Sequence, residues 1–247
     1  MNSFLLLNIG NTHTQWVAAD ESGKITGEVK TLLTADWMRS PGLLPAMDDV
    51  EAVWASCVVP EARSLLAGSG IYSALHFVDA ASAGKTGLDF SLVDTSTLGA
   101  DRIANAAALL DYPLPAICID CGTAVTLEVV TGDKCFAGGA ILPGRKLMRR
   151  SLAAGTAALP ELPLSENVPM DLGRNTREAL ALGIDRGIVG MVREMLEIAR
   201  EYSPAAIVAA GGDVEFFCHA LPELIPGGAD FTLRGVGLIA AKHAKKA

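Results

Sequence analysis

Twice in this chain a short apolar run ends in a polar residue, one spacer and a glycine, then resumes as a β-branched run. The first copy is Leu5-Leu6-Leu7-Asn8-Ile9-Gly10-Asn11-Thr12-His13-Thr14, continuing as Gln15-Trp16-Val17-Ala18-Ala19. The second is Ile117-Cys118-Ile119-Asp120-Cys121-Gly122-Thr123-Ala124-Val125-Thr126, continuing as Leu127-Glu128-Val129-Val130. Apolar runs of this length bounded by glycine turns read as buried strands. A glycine at the tip leaves no Cβ in the way, so backbone N–H groups can approach a phosphate closely. The repeat predicts two hairpins, one in each half of a duplicated domain, with both tips facing one cleft. The copies differ at the first polar position, where the second has the carboxylate Asp120 and the first the amide Asn8.

The chain has 247 residues, enough for one large domain or two smaller ones with a real core. Half the residues are hydrophobic and the net charge is −8, which argues against a duplex nucleic-acid surface. The basic clusters Arg145-Lys146 with Arg149-Arg150, and the tail Lys242 to Lys246, read as solvated helix ends. The five cysteines are odd in number and sit mostly in apolar, strand-like contexts. Cys118 and Cys121 have C-x-x-C spacing, but on a strand i and i+3 point to opposite faces, which opposes a shared metal. Reduced, buried thiols in a cytoplasmic, membrane-free protein are the expectation, since no apolar run is long enough to span a bilayer.

Pattern along the chain predicts strands and helices in alternation. After the first hairpin come a third strand over Lys24–Val29, a helical stretch from Thr34 to Arg39, and a buried strand over Ala52–Val59. A helix opens at Pro60, a short strand covers His76–Val78, and a weakly structured loop spans residues 79 to 98. The Ala-rich segment Asp101–Leu110 is a helix, and the break at Pro113 and Pro115 divides the chain into 1–114 and 115–247. The second half repeats the plan, with a third strand at Lys134–Ala137 and helices over Arg145–Ala153 and from Thr176 towards Tyr202. A buried strand, Ala206–Ala210, ends in Gly211-Gly212-Asp213, and a helix, short strand and C-terminal helix follow. Strand, hairpin, helix, strand and helix given twice indicate a duplicated α/β fold with a central cleft.

Three more segments are placed to reach that cleft. Asp101 in Leu98-Gly99-Ala100-Asp101-Arg102 reads either as a first-turn helix acid or as a general base beside a cationic anchor, Arg102. Asn175-Thr176 reads as a helix cap or as a site segment. Gly211-Gly212 reads as an ordinary turn or as a bare surface for the flat face of a nucleobase.

Together these blocks resemble the type III pantothenate kinases of the acetate kinase, sugar kinase, heat-shock protein and actin superfamily. The resemblance rests on Gly10-Asn11-Thr12, Gly99-Ala100-Asp101-Arg102, Asp120-x-Gly122-Thr123-Ala124-x-Thr126, Gly139-Ala140-Ile141-x-Pro143-Gly144, Asn175-Thr176 and Gly211-Gly212-Asp213, in that order. It implies two actin-like (ribonuclease H-like) domains with mixed five-stranded sheets flanked by helices and an ATP cleft between them. It implies ATP-dependent phosphorylation of pantothenate, the first step of coenzyme A synthesis, by a homodimer using Mg2+ and a monovalent cation, K+ or NH4+. ATP contacts are implied for Asn8, Ile9, Gly10, Asn11, Thr12, His13, Thr14, Gln15, Thr123, Gly211 and Gly212. Gly99, Ala100, Asp101 and Arg102 would bind pantothenate, with Asp101 taking the hydroxyl proton and Thr176 contributing from the partner or nearby. Asp120 corresponds to the acid beside the monovalent cation.

The chain departs from the family pattern at two places. The family has Asp where this chain has Asn8, and an amide brings no negative charge to a hard cation. A Tyr expected before the Gly-Ala-Asp-Arg block is replaced by Leu92. These departures keep a second reading open, a non-catalytic or regulatory homologue that retains the fold and nucleotide binding. A third is a kinase of the same superfamily acting on a different small hydroxylated substrate.

Overall fold

The computed structural model describes residues 3–45 and 50–244. In the first half, β1 (Phe4–Ile9) pairs antiparallel with β2 (His13–Ala19), which pairs with β3 (Lys30–Leu33); β4 (Ala52–Cys57) and β5 (Leu75–Phe77) continue parallel to β1. The second half matches it with β6 (Ala116–Cys121), β7 (Ala124–Val130), β8 (Phe136–Pro143), β9 (Ala206–Ala210) and β10 (Ile225–Pro226). The sheet orders, β3-β2-β1-β4-β5 and β8-β7-β6-β9-β10, are the same succession. The duplication expected from the two signatures is therefore present strand for strand.

The helices are α1 (Thr34–Arg39), α2 (Pro60–Ser69), α3 (Ala80–Gly84), α4 (Ala100–Ala108), α5 (Arg145–Gly155), α6 (Thr176–Ala181), α7 (Gly187–Ala199), α8 (Val214–Ala220) and α9 (Phe231–Ala244). A π-type turn, Leu182–Arg186, joins α6 to α7. Strand alternation sorts the core into layers. Leu5, Leu7 and Ile9 pack outward with Trp37 of α1 and Leu66 of α2, while Phe4 and Leu6 face inward. In the second sheet Ile117, Ile119 and Cys121 pack outward with Ile188 and Val192 of α7, while Ala116 and Cys118 face inward. Between the sheets lie α4 and α9, giving helix, sheet, helix pair, sheet, helix. Although α9 follows the second sheet in sequence, it packs on α4, β1 and β4.

That middle layer is thin because its residues are small. A Cβ on Gly235 of α9 would sit 1.8 Å from the Ala104 carbonyl oxygen of α4, so the two backbones nearly touch there. Gly237 crosses the 20–25 turn in the same way, its Cβ position being 2.2 Å from the Gly23 oxygen.

Several expectations are corrected. The third strand is Lys30–Leu33, not Lys24–Val29, of which Ile25 makes only an isolated bridge to Ala19. The Asp20 carboxylate accepts from Ser22 N (2.9 Å) and Lys24 N (3.1 Å), holding a turn where strand was expected. In the second half the strand is Phe136–Pro143, because Lys134 is held in a turn at φ 65° closed by Lys134 N to Thr131 O. Within the 79–98 loop, Asp79 and Ser82 form a reciprocal capping box that opens α3.

Arg145 and Arg149 are not solvated. Both are buried, Arg149 donating to both oxygens of Asp185 at 2.8 Å and Arg145 Nε lying 3.0 Å from Asp213. The charges were legible in sequence, but their partners Asp185 and Asp213 come from a helix and a loop far along the chain. Lys245 and Lys246 of the basic tail lie outside the described residues.

The close crossing generates a paired prediction. Gly235→Ala should lower unfolding free energy by about 3 kcal/mol through overpacking against α4. Gly190→Ala, at an exposed α7 position with open space around the new methyl, should raise it by about 0.5–1 kcal/mol. Urea unfolding of both variants checks the two signs.

Candidate active site

Residues Asn8 and Asp120 share the inward parity of Phe4/Leu6 and Ala116/Cys118, so strand alternation turns both towards the space between the sheets. There the sheets splay and leave a cleft of about 430 Å³. Its floor is made by the two hairpin tips. Gly10 N donates to His13 O and Gly122 N to Ala124 O, each at 3.0 Å, closing the turns. The tips meet directly, with Thr12 Oγ1 and Thr123 Oγ1 sharing a hydrogen bond of 3.1 Å. Gly144 N donates to Thr123 O at 3.0 Å, and a Cβ on Gly144 would lie 2.3 Å from Gly122 O. The Pro143-Gly144 step thus lets the chain pass against the second tip without displacing it.

On the other wall, Gly211 follows β9 at φ 88°, where a Cβ would be 2.5 Å from Asp120 Oδ1. Any side chain there would push the carboxylate aside. Gly212 has open space at its Cβ position and lines the cleft beside Gly228 and Ala229. Gln15 Nε2 reaches Ala229 O at 3.4 Å, tying the first hairpin to the segment before α9.

Asp101 sits in the first turn of α4 and also lines the cleft, so the two readings of it are compatible. Its Oδ1 accepts from Arg102 N at 2.7 Å. A Cβ on Gly99 would come within 2.6 Å of that same oxygen, which gives a steric reason for glycine before it. Burial pushes the Asp101 carboxyl above its ordinary range, against the opposing pull of the Arg102 N–H and charge. Burial likewise pushes Asp120 up to about 6, with the Asp101 charge adding to the rise and an Asn105 bond opposing it.

Three groups that fix the site were not singled out from sequence. Asn105, fully buried on α4, donates to Asp120 Oδ2 at 3.1 Å and accepts from Thr232 Oγ1 of α9 at 2.8 Å. Glu128, fully buried on β7, accepts from Arg102 Nε at 2.9 Å and is pushed by burial up to about 8 despite that partner. A lone amide in an Ala-rich helix and a lone acid in a Val-rich strand were the available signals, since buried polar groups need partners.

The remaining candidates are placed as follows. Asn8, Gly10, Asn11, Thr12, His13, Gln15, Thr123, Gly211 and Gly212 line the cleft. Ile9 is core, and Thr14 is buried on the outer side, bonded to Thr34 Oγ1 (3.0 Å) and Trp37 Nε1 (2.7 Å). Gly99 and Ala100 carry the start of α4 behind Asp101. Arg102, next to Asp101 in the first turn of α4, is not among the residues that line the cleft; its Nε donates to Glu128. Thr176 is exposed at the start of α6, where Asn175 caps the helix by accepting from Glu178 N at 3.0 Å; it does not line the cleft of its own chain. Among the described residues no group of three or more His, Cys, Asp or Glu side chains could by itself hold a metal. Asp120 and the Asn8 amide oxygen are hard oxygen donors at the tips, a set that fits a cation completed by phosphate oxygens and water. Cys118 and Cys121 are free thiols facing opposite sides of β6. No helix among the described residues is long and apolar enough to cross a membrane.

The model of the type III pantothenate kinase family matches residues 4–198, and the chain belongs to that family. A type III pantothenate kinase of Rubrobacter xylanophilus is 32% identical over 82% of this chain and 80% of its own. One from Caulobacter vibrioides is 29% identical over 94% of each. Among solved structures, the activator of 2-hydroxyisocaproyl-CoA dehydratase from Clostridium difficile with bound ADPNP superposes with a TM-score of 0.63 at 14% identity, covering all of this chain and 96% of that one. That likeness is one of fold, and the fold is the duplicated actin-like arrangement that the family resemblance implied.

The raised acids carry a pH prediction. Asp120 and Glu128 hold protons more tightly folded than unfolded, so their contribution to stability is full below the ordinary carboxylate range. It is lost as pH rises through about 6 and then about 8. Asp120→Asn keeps the shape and cannot ionise, so it should unfold like the parent near about pH 4 and be more stable near about pH 7.5. Equal urea midpoints at the higher pH would show that Asp120 ionises there without cost.

Proposed function

We propose that this member of the type III pantothenate kinase family phosphorylates pantothenate with ATP, and that Asp101 is the general base. The reading is supported above all by the position of Asp101, a half-buried carboxylate with a raised pKa lining the cleft into which both hairpin tips point. A primary alcohol is a weak nucleophile at neutral pH, and a carboxylate able to accept its proton assists attack on phosphorus.

In this reading the triphosphate lies along Gly10–Thr12 and Thr123, with adenosine towards Gly211 and Gly212. The backbone N–H groups of the tips and the Thr12 and Thr123 hydroxyls donate to phosphate oxygens. The pantothenate hydroxyl oxygen bonds to the γ-phosphorus as its proton passes to Asp101, the bridging bond to the β-phosphate breaks, and ADP leaves. A divalent ion on the phosphates and a monovalent ion beside Asp120 would supply positive charge where the phosphate charge is concentrated. Asn105 and Thr232 keep Asp120 turned to that place. Arg102 pairs with the pantothenate carboxylate.

A homodimer belongs to the same reading. Exposed apolar side chains, Leu147 and Leu152 on α5 and Met170 and Leu172 on the segment leading to Thr176, are available to a partner. Thr176 would then reach a partner's substrate. Asn8 specifically favours a second reading, a homologue that binds nucleotide without turning over, because the first tip lacks the carboxylate of the family pattern.

Purified protein with ATP, magnesium and potassium should release ADP only when pantothenate is present. Asp101→Asn should cut that rate by about 10²–10⁴-fold while leaving the unfolding transition in place. Asn8→Asp should raise activity or lower the magnesium requirement. Absence of pantothenate-dependent ADP from the parent, with its appearance in Asn8→Asp, would move the chain to the second reading.

A further inference from the structure

Arg102 is held in an unusual way for a residue beside a substrate site. Its Nε donates to Glu128 Oε1 at 2.9 Å, and Glu128 is completely buried on β7 while the arginine side chain is 15% exposed. Nη2 has only a long contact, 3.5 Å, to Leu127 O, and Nη1 donates to no group among the described residues. The guanidinium lies 5.8 Å from the Phe136 ring centre. A Cβ on Gly139 would stand 2.8 Å from Nη2 and 1.6 Å from Leu127 O, so β8 carries glycine where the arginine fork passes. One edge of the fork is therefore fixed by a buried acid and the other edge is left with donors to offer.

We propose that Glu128 is a positioning residue for substrate selection: it fixes Arg102 by the Nε edge so that the Nη edge is presented to the pantothenate carboxylate. The inference rests on the reading that Arg102 pairs with that carboxylate. A guanidinium has five donors in a rigid plane, so anchoring one edge orients the rest at little further entropic cost. An unanchored Arg102 would have to order its whole side chain on binding. A buried Glu128 with no arginine would lose the donor that offsets its desolvation, which explains why the two belong together. The effect of Glu128 falls first on recognition of the acid, through its bond to Arg102 Nε.

The experiment compares kcat/KM for pantothenate with that for the analogue whose carboxylate is replaced by –CH2OH, in the full-length enzyme. Arg102→Ala tests the underlying reading and should remove most of the preference for the acid. Glu128→Ala should reduce the same preference by roughly tenfold or more, through KM for pantothenate, with KM for ATP unchanged. Glu128→Gln, whose Oε1 still accepts from Nε, should keep most of the preference. If Glu128→Ala does not fold, Glu128→Asp, one methylene too short for the bond but still charged, carries the same expectation. A purely structural Glu128 would lower the melting temperature of these variants and leave the acid-to-alcohol ratio alone, which would overturn the proposal while Arg102→Ala still upheld the reading. If Arg102→Ala itself leaves the ratio unchanged, the reading of Arg102 fails, and the proposal with it.

Discussion

Contact between α4 and α9 at Gly235 and Ala104 sets the thickness of the layer that separates the two sheets. Ala104, Ala106, Ala107 and Ala108 on one helix and Gly235 and Gly237 on the other leave little side-chain volume between the backbones. Larger residues would hold the sheets further apart, and the hairpin tips would no longer meet at 3.1 Å through Thr12 and Thr123. The same two helices deliver Asp101 from α4 and Phe231 and Thr232 from α9 to the cleft, with Asn105 of α4 buried behind Asp120. The packing constraint and the site are thus one arrangement, since an inserted methyl group would move a wall of the cleft as well as the core.

The polar layer facing α4 illustrates how charge is kept where it is costly. Asp101, Asp120 and Glu128 all have carboxyls raised by burial, and each has a defined neighbour: Arg102 N, Asn105 and the Arg102 guanidinium. The chain spends stability to hold acids in these positions, as functional sites commonly do. Elsewhere the set of buried Arg145, Arg149 and Asp185 with half-buried Asp213 is balanced in charge and links α5, the π-type turn and the loop after β9. It anchors Asp213, next to the glycines Gly211 and Gly212 that line the cleft.

The two departures from the family pattern occupy different environments. Asn8 faces the cleft from β1, at the position related by the duplication to Asp120, and so the two halves of the cleft floor carry unequal charge. Leu92 is 67% exposed on the loop before α4, with no role in the core to account for it.

Much of this was legible in the sequence because period-two alternation and glycine turns are local. They located both hairpins, placed Cys118 and Cys121 on opposite faces of one strand, and sent Asn8 and Asp120 to the same side as the cleft. The order of the motifs was enough to identify the family. Tertiary structure decided the rest, wherever a partner came from elsewhere in the chain. It buried Arg145 and Arg149 on Asp185 and Asp213, moved the third strand to Lys30–Leu33, and brought α9 back between the sheets. It also chose Asn105, Thr232 and Glu128, whose roles exist only through hydrogen bonds that no local pattern specifies. Sequence by itself determined which backbones are strands, tips and helices; the close approach of those backbones decided which polar side chains share a desolvated space, and a polar group buried there is held by the partner it finds.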